Sequence, residues 1–356
     1  MPEAIIQCIA DLQTDTGLFP SVRSNPAIGY RRPDTNVFFT AITVFTLRQL
    51  RPVVSPESQR LIDRIGKRAR TAYPRFRNKD GLNTYNFWPT RPSQHFPNGR
   101  FFRHFDHFRI PDDIDDTAMV YLTTQPTPHD LHWLKAKLAQ HANLTTRQIQ
   151  TTFADYRDLR AFSTWFGKNM GIDFDACAIN NMLFCLYQYG LSPDVHSVDS
   201  LTYLRAVVAS GQYVSESFQC APHYARTSLI IYHLARLIAA FDPPELASIR
   251  ARLIADARHL LTQNANRMEQ IILITSLIRL GERAIRIDLT GIEQDFGGFH
   301  FFIAGLLTAY EQPWLRRFAN RPLTQMRWQC EAHCWALVAE YVMLTQAGLS
   351  KSQGRV

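Results

Sequence analysis

Four aspartates stand within five consecutive positions, Asp112, Asp113, Asp115 and Asp116, in the stretch IPDDIDDTAMVYL that spans residues 110 to 122. Aspartate is favoured at helix N-termini, where its side chain caps unpaired backbone N–H groups and meets the positive end of the helix dipole. One or two would suffice for that. Pro111 suits a first helical turn, and the run from Thr117 to Leu122 continues as a buried helix, so four carboxyls are pressed against a core. Crowded carboxyls oppose one another's ionisation, while a helix start favours whichever anion remains. Both influences bear on acid–base chemistry.

Other residues with chemical potential are fewer. In CEAHC, Cys330, His333 and Cys334 form part of a metal-binding pattern, but no second pair lies at zinc-finger spacing. The six cysteines lack the density of a disulfide scaffold and fit buried thiols in a reducing compartment. His223 and Tyr224 in CAPHYARTSL, and Glu331 and His333 in WQCEAHCWAL, sit near predicted helix starts.

The elements that must position these groups are helical. Apolar periodicity predicts helices over 38–50, 128–142, 176–190, 227–241, 245–265, 268–281, 301–312 and 330–348, and strand-like alternation is scarce. Segments such as 176–190 and 301–312 are apolar nearly all round, whereas 128–142 and 245–265 are amphipathic. That mixture predicts two concentric layers, an inner and an outer. Connectors such as SPES and FDPPE are short and read as hairpin loops, so a single domain over 1–356 is expected. QTDTGLF (13–19), NKDGLNTYNFW (78–88) and EQDFGGFHFF (293–302) each place glycine and an aromatic after a polar turn, which suggests helical hairpins repeated and closed into a ring.

Composition narrows the partners. The chain has 356 residues, a net charge of +8, and six Trp, thirteen Tyr and twenty-three Phe that need a core or a pocket to house them. Positive charge favours an anionic partner, but no nucleic-acid-binding motif accompanies it, so nucleic acid is not expected. No run of about 18 apolar residues predicts a spanning helix. The N-terminal MPEAIIQCIADLQ lacks the basic start of a signal peptide, and a cytoplasmic location is the expectation.

DIDDTA, Asp113 to Ala118, resembles the DxDDTA motif of squalene-hopene cyclases, whose DxDD part marks class II terpene cyclases generally. The glycine-and-aromatic turns resemble degraded versions of the QW repeats of that superfamily. The resemblance implies an all-α (α/α)₆ toroid and proton-initiated cyclisation of a linear isoprenoid. Asp115 would be the general acid acting on a terminal alkene or epoxide, with Asp113 and Asp116 as supporting carboxylates that oppose loss of its proton. The carbocation would need an apolar cavity faced with aromatic rings. Trp88, Phe101, Phe102, Trp165, Tyr224, Phe299 and Trp328 are the candidates.

Residues 91–110, RPSQHFPNGRFFRHFDHFRI, then read as a lid. Arg100, His104, His107 and Arg109 alternate there with phenylalanines, so Arg100 and Arg109 are candidates for a substrate diphosphate and Phe102 for covering the cavity. With Asp112, Trp165, His223, Tyr224 and Trp328 they complete the expected substrate-binding set. A prenyl diphosphate is the expected substrate, with magnesium as a family-level expectation through that diphosphate. A lone toroid would close its cavity with the lid, by forming a homodimer or by docking peripherally on a membrane.

Three rival readings follow from the same residues. Asp112, Asp113 and Asp116 also spell DDxxD, similar to the magnesium motif of class I terpene synthases, although there the motif lies toward the end of its helix. Asp175 and Cys177 with His333 resemble the zinc ligands of protein prenyltransferase β subunits. The third is a non-catalytic toroid that binds an isoprenoid or a protein.

Overall fold

The computed structural model describes residues 2–353 except 168, 169, 264, 265, 306 and 309. Helix dominates. The first seven helices are α1 (Pro2–Asp11), α2 (Phe38–Leu50), α3 (Pro56–Ala72), α4 (Ile114–Thr123), α5 (Pro128–His141), α6 (Ala176–Gln188) and α7 (Val195–Ser210). They are followed by α8 (Gln212–Ser215), α9 (Ser217–Cys220), α10 (Thr227–Phe241), α11 (Arg250–Gln263), α12 (Arg267–Arg279), α13 (Glu293–Phe296), α14 (Pro313–Ala319) and α15 (Glu331–Gln353). Among the described residues no helix is long and apolar enough to cross a membrane.

Two grades of helix are present. In α6 every residue from Ala176 to Leu186 is buried, and in α10 every residue from Ser228 to Ile238. By contrast, α3 buries Leu61, Ile62, Ile65, Ala69 and Ala72, the i, i+3, i+4 stripe of a helix with one face in water. The buried helices pack in a circuit: α2 lies on α4, α4 on α6, α6 on α10, α10 on α12, α12 on α15, and α15 returns to α2. Amphipathic helices pack against this circuit from elsewhere, α1 on α15, α3 on α2, α7 on α6, and α11 on α10 and α12.

Side-chain caps set the helix starts. Asp113 accepts from the Asp116 N–H at 2.7 Å, Asp175 accepts from the Cys177 and Ala178 N–H groups, and Asn266 caps α12 in the same way. The turn after α1 places Gly17 in the left-handed region (φ +84°), where a Cβ would lie 2.2 Å from the Arg68 carbonyl oxygen of α3, so only glycine fits there.

The helix expected over 301–312 is not formed. Phe302–Gly305 is a strand, β3, in an antiparallel sheet with β1 (Ser21–Asn25), β2 (Tyr30–Asp34) and β4 (Gln325–Gln329), in the order β2-β1-β4-β3. An apolar run as short as FFIAG has no periodicity to separate strand from buried helix. Pairing decides: Phe302 stands opposite Trp328 across the β3–β4 ladder, and their rings stack with centroids 5.1 Å apart. The fold is therefore mostly helical but not all-α. The 245–265 segment also begins later than expected, as a 3₁₀ turn over Pro244–Ile249 before α11, and residues 264 and 265 lie outside the described residues.

Candidate active site

A cavity of about 1150 Å³, slightly above the usual range of about 300–1,000 Å³ for small-molecule sites, lies where several helix N-termini meet. Its lining includes Phe38 at the start of α2, Asp113, Asp115 and Asp116 at the start of α4, Ala178 near the start of α6, Tyr224 just before α10 and Trp328 just before α15. The starts of α2, α4 and α6 contribute to this wall, and the positive end of a helix favours an anion near it. Phe87, Trp88, Phe96, Trp165, Phe166 and Phe302 supply much of the rest of the wall.

The backbone of the acidic stretch is clamped from two sides. Asp113 N–H donates to the Tyr85 carbonyl, Ile114 N–H to that of Thr164 at 2.9 Å, and the Phe166 N–H donates to the Asp112 carbonyl at 2.9 Å. Thr117 accepts from the Tyr85 N–H at 3.0 Å. The 78–88 turn thus acts as a brace for the start of α4. Asp112 is a structural post: Asn78 and Thr84 each donate to its Oδ2 at 2.5 Å, and Asn86 donates to its Oδ1 at 3.3 Å.

Asp115 has a different setting. Tyr224 donates its phenol proton to Oδ2 at 2.6 Å, and the Asn181 amide donates to Oδ1 at 2.5 Å. Asn181 is in turn hydrogen-bonded by the buried guanidinium of Arg236, which lies over the rings of Phe45, Phe184 and Tyr232. Burial raises the Asp115 pKa above the ordinary carboxyl range, opposed by the Tyr224 and Asn181 hydrogen bonds and by the charges of Arg236 and His223. Desolvation therefore favours the protonated acid, while a set of donors stands ready for its anion.

Neighbouring carboxylates are not the main cause, contrary to the expectation from the crowding alone. Asp113 is pushed up to about 7 and Asp116 well above the carboxyl range, in both cases first by burial. The charges of Asp113, Asp115 and Asp112 raise Asp116 further after burial has done so.

His223 faces the same cavity, with Nε2 3.2 Å from Asp173 and its ring edge-on to Trp165 at 5.2 Å. Burial alone would lower the imidazolium pKa, but the hydrogen bond and charge of Asp173 together with Asp175 raise it overall. A protonated His223 supports the Asp115 anion; it is poorly suited to take up a proton. His333, the other candidate histidine, is buried with its pKa lowered by burial to about 3 and touches Phe301 edge-on at 4.4 Å.

The sequence-predicted site is brought together only in part. Asp112, Asp113, Asp115, Asp116, Arg109, Trp165, His223, Tyr224 and Trp328 all line the cavity. Arg100 is exposed and outside the lining, and Arg109 pairs with Asp106 at 3.1 Å, so these two arginines do not converge into a diphosphate clamp. Lys137 and His141 of α5 line the cavity instead. Phe102 sits behind the wall, packed on Phe96 and Phe108, with centroids 5.5 and 4.6 Å away. Phe101 points to solvent, and Phe299 lies under the Arg226 guanidinium. Asn181, Arg236 and Asp173 escaped the sequence reading, although a lone arginine in the apolar run TSLIIYHLARLIAAF marks a buried charge that needs a partner.

Among the described residues the expected zinc donors have other partners. Asp175 spends one oxygen on the α6 cap and the other on the His223 N–H, which removes it from the zinc set with Cys177 and His333. Of the DDxxD set, Asp112 has both oxygens engaged by the neutral donors Asn78, Thr84 and Asn86. Among the described residues no three His, Cys, Asp or Glu side chains are placed to share one metal ion. No protein-family model matches the chain, and no curated protein matches it.

Proposed function

We propose that the chain is a class II-type terpene cyclase, a single (α/α)₆ toroid in which Asp115 starts cyclisation of a linear isoprenoid by protonating its terminal alkene or epoxide. The carrying observation is one carboxyl: Asp115 lines an aromatic cavity at a helix start, with burial raising its pKa and Tyr224, Asn181 and Arg236 placed for its anion. The closed circuit of buried helices, with amphipathic helices packed against it, supports the toroid. The DIDDTA motif and the position of the cavity at the helix N-termini support the reaction class.

The steps follow from this geometry. The Asp115 proton passes to the alkene carbon, whose π pair forms the new C–H bond and leaves a cation on the adjacent carbon. The next double bond of the folded chain then attacks that cation. Both Asp115 oxygens already accept hydrogen bonds, so the negative charge left behind is received at once. Trp88, Trp165, Phe302 and Trp328 line the cavity, where aromatic rings would attract the migrating positive charge and keep water from it.

The test is product analysis. Purified protein and its Asp115→Asn variant are incubated with geranylgeranyl and farnesyl diphosphates, the corresponding free alcohols and squalene, and extracts are analysed by gas chromatography and mass spectrometry. The expected result is a cyclic product from the unaltered protein and a loss of about 10²–10⁴-fold in the variant, the usual share of a positioned general acid. Equal product from both would remove Asp115 from the chemistry.

A further inference from the structure

Two tryptophans of the cavity wall turn their indole N–H groups to one buried carboxylate. Trp328 Nε1 donates to Asp34 Oδ2 at 3.0 Å, and Trp88 Nε1 donates to Asp34 Oδ1 at 3.3 Å. Asp34 ends β2 and is not among the lining residues; it stands behind the wall to which the two indoles belong. Arg23 also donates to its Oδ1, at 2.6 Å, and Asn36 to its Oδ2, at 3.1 Å. The side chains of Asp34 and Arg23 are fully buried.

The anchored rings carry others with them. Trp328 stacks on Phe302 with their planes 12° apart, and Phe87 stands edge-on to Trp88, Trp328 and Phe302. Phe96 packs on Trp88 with centroids 4.6 Å apart. All five rings line the cavity. Stability alone does not account for the arrangement, because a buried ion pair is commonly no more stable than apolar side chains of the same size. Arg23 and Asn36 already give Asp34 a counter-charge and a donor on each oxygen without the two indoles. What the indoles gain is a fixed orientation. An N–H aimed at an anion also shifts electron density toward the ring, which deepens the negative potential of its faces. Arg23 balances the carboxylate, so the wall takes on no net charge that would repel an apolar chain.

We propose that Asp34 is a positioning residue for this cavity: through the N–H groups of Trp88 and Trp328 it holds a five-ring wall in place and raises the preference of that wall for a cation over an uncharged molecule of similar shape. In the cyclase reading, on which this role rests, the cation is the one formed after proton transfer, and the wall sets how long it lasts before it loses a proton or meets water. Cation preference itself is measured without turnover, so the two readings fail separately.

The experiment is calorimetric titration of the full chain with geranyltrimethylammonium and with geraniol, its uncharged counterpart. The readout is the ratio of the two affinities. The unaltered protein should prefer the cation about ten-fold, which two cation–π contacts of modest strength supply. Asp34→Asn combined with Arg23→Gln removes both buried charges together and should bring the preference down to about two-fold. Benzothienylalanine placed at position 88 or 328 keeps the fused ring, drops only the N–H and leaves the Asp34–Arg23 pair in place. It should lower the ratio about three-fold at each position, and it decides the question if the double variant does not fold. A purely structural role would weaken both probes alike and leave the ratio where it was. That result, or no preference for the cation in the unaltered protein, would overturn the proposal. Cation preference without a cyclic product from any isoprenoid would sink the cyclase reading and leave the role of Asp34 standing.

Discussion

Burial raises the pKa of Asp115, and Tyr224, Asn181 and, one hydrogen bond further on, Arg236 are placed for its anion. The carboxyls beside it serve a different end. Asp113 is protonated in the fold up to about pH 7 but ionises above its ordinary 3.8 in the unfolded chain. The folded state therefore holds the extra proton, and stability linked to this group is fully present below about pH 4 and lost as pH rises to about 7. Asp116, raised further, extends the loss upward. Asp116→Asn supplies a neutral donor to Asp113 without a titrating group, so thermal unfolding followed from pH 4 to pH 8 should show a smaller decline than in the unaltered protein. An equal decline would mean that the pair shares no proton. The DIDDTA stretch revealed the carboxyl cluster from the sequence, because four like charges before an apolar run are conspicuous. Asn181 and Arg236 were not legible, since a helix buried on every side gives no clue to which polar side chain faces the site.

Among the elements, the small sheet is the part that periodicity missed, and it is what holds the 91–110 segment. Arg23 of β1 and Asp34 of β2 form a fully buried pair at 2.6 Å, and Asp34 also accepts from Asn36 and from the indole N–H groups of Trp88 and Trp328. Through Asp34 the sheet fixes two aromatic walls of the cavity, and through Arg23 it grips the Pro97 carbonyl and the Phe96 ring. Arg23→Leu strips a buried carboxyl of its counter-charge and should cost about 3–5 kcal/mol in urea unfolding. A cost near zero would mean that the pair is not buried as described. Among the amphipathic helices, α5 was readable from spacing alone, whereas α1, α3 and α7 were not among the predicted segments: α5 carries Leu131, Leu134 and Leu138 on one stripe and opens with a Thr127–Asp130 capping box.

At the scale of the whole molecule, the circuit of buried helices is held by apolar packing and by charges inside it. Glu340 of α15 accepts from Tyr232 of α10 at 2.7 Å and pairs with Arg279 of α12, which ties three successive members of the circuit together. The mixture of all-round apolar and striped segments predicted two grades of helix, and the repeated glycine-and-aromatic turns suggested a ring. The sequence did not show that the starts of α2, α4 and α6 meet at one cavity with Tyr224 and Trp328, since convergence depends on loop paths that carry no periodic signal. That arrangement places Asp115 on the wall of the cavity, where the proposed cyclisation requires it. The measurement that bears most directly on this account is cyclisation in deuterium oxide, with the product mass read by gas chromatography and mass spectrometry. A cyclic product one mass unit heavier than that formed in ordinary water, and absent with Asp115→Asn, is the predicted result. A cyclic product that carries no deuterium would show that the reaction does not begin with proton transfer from an exchangeable acid, and would contradict the account.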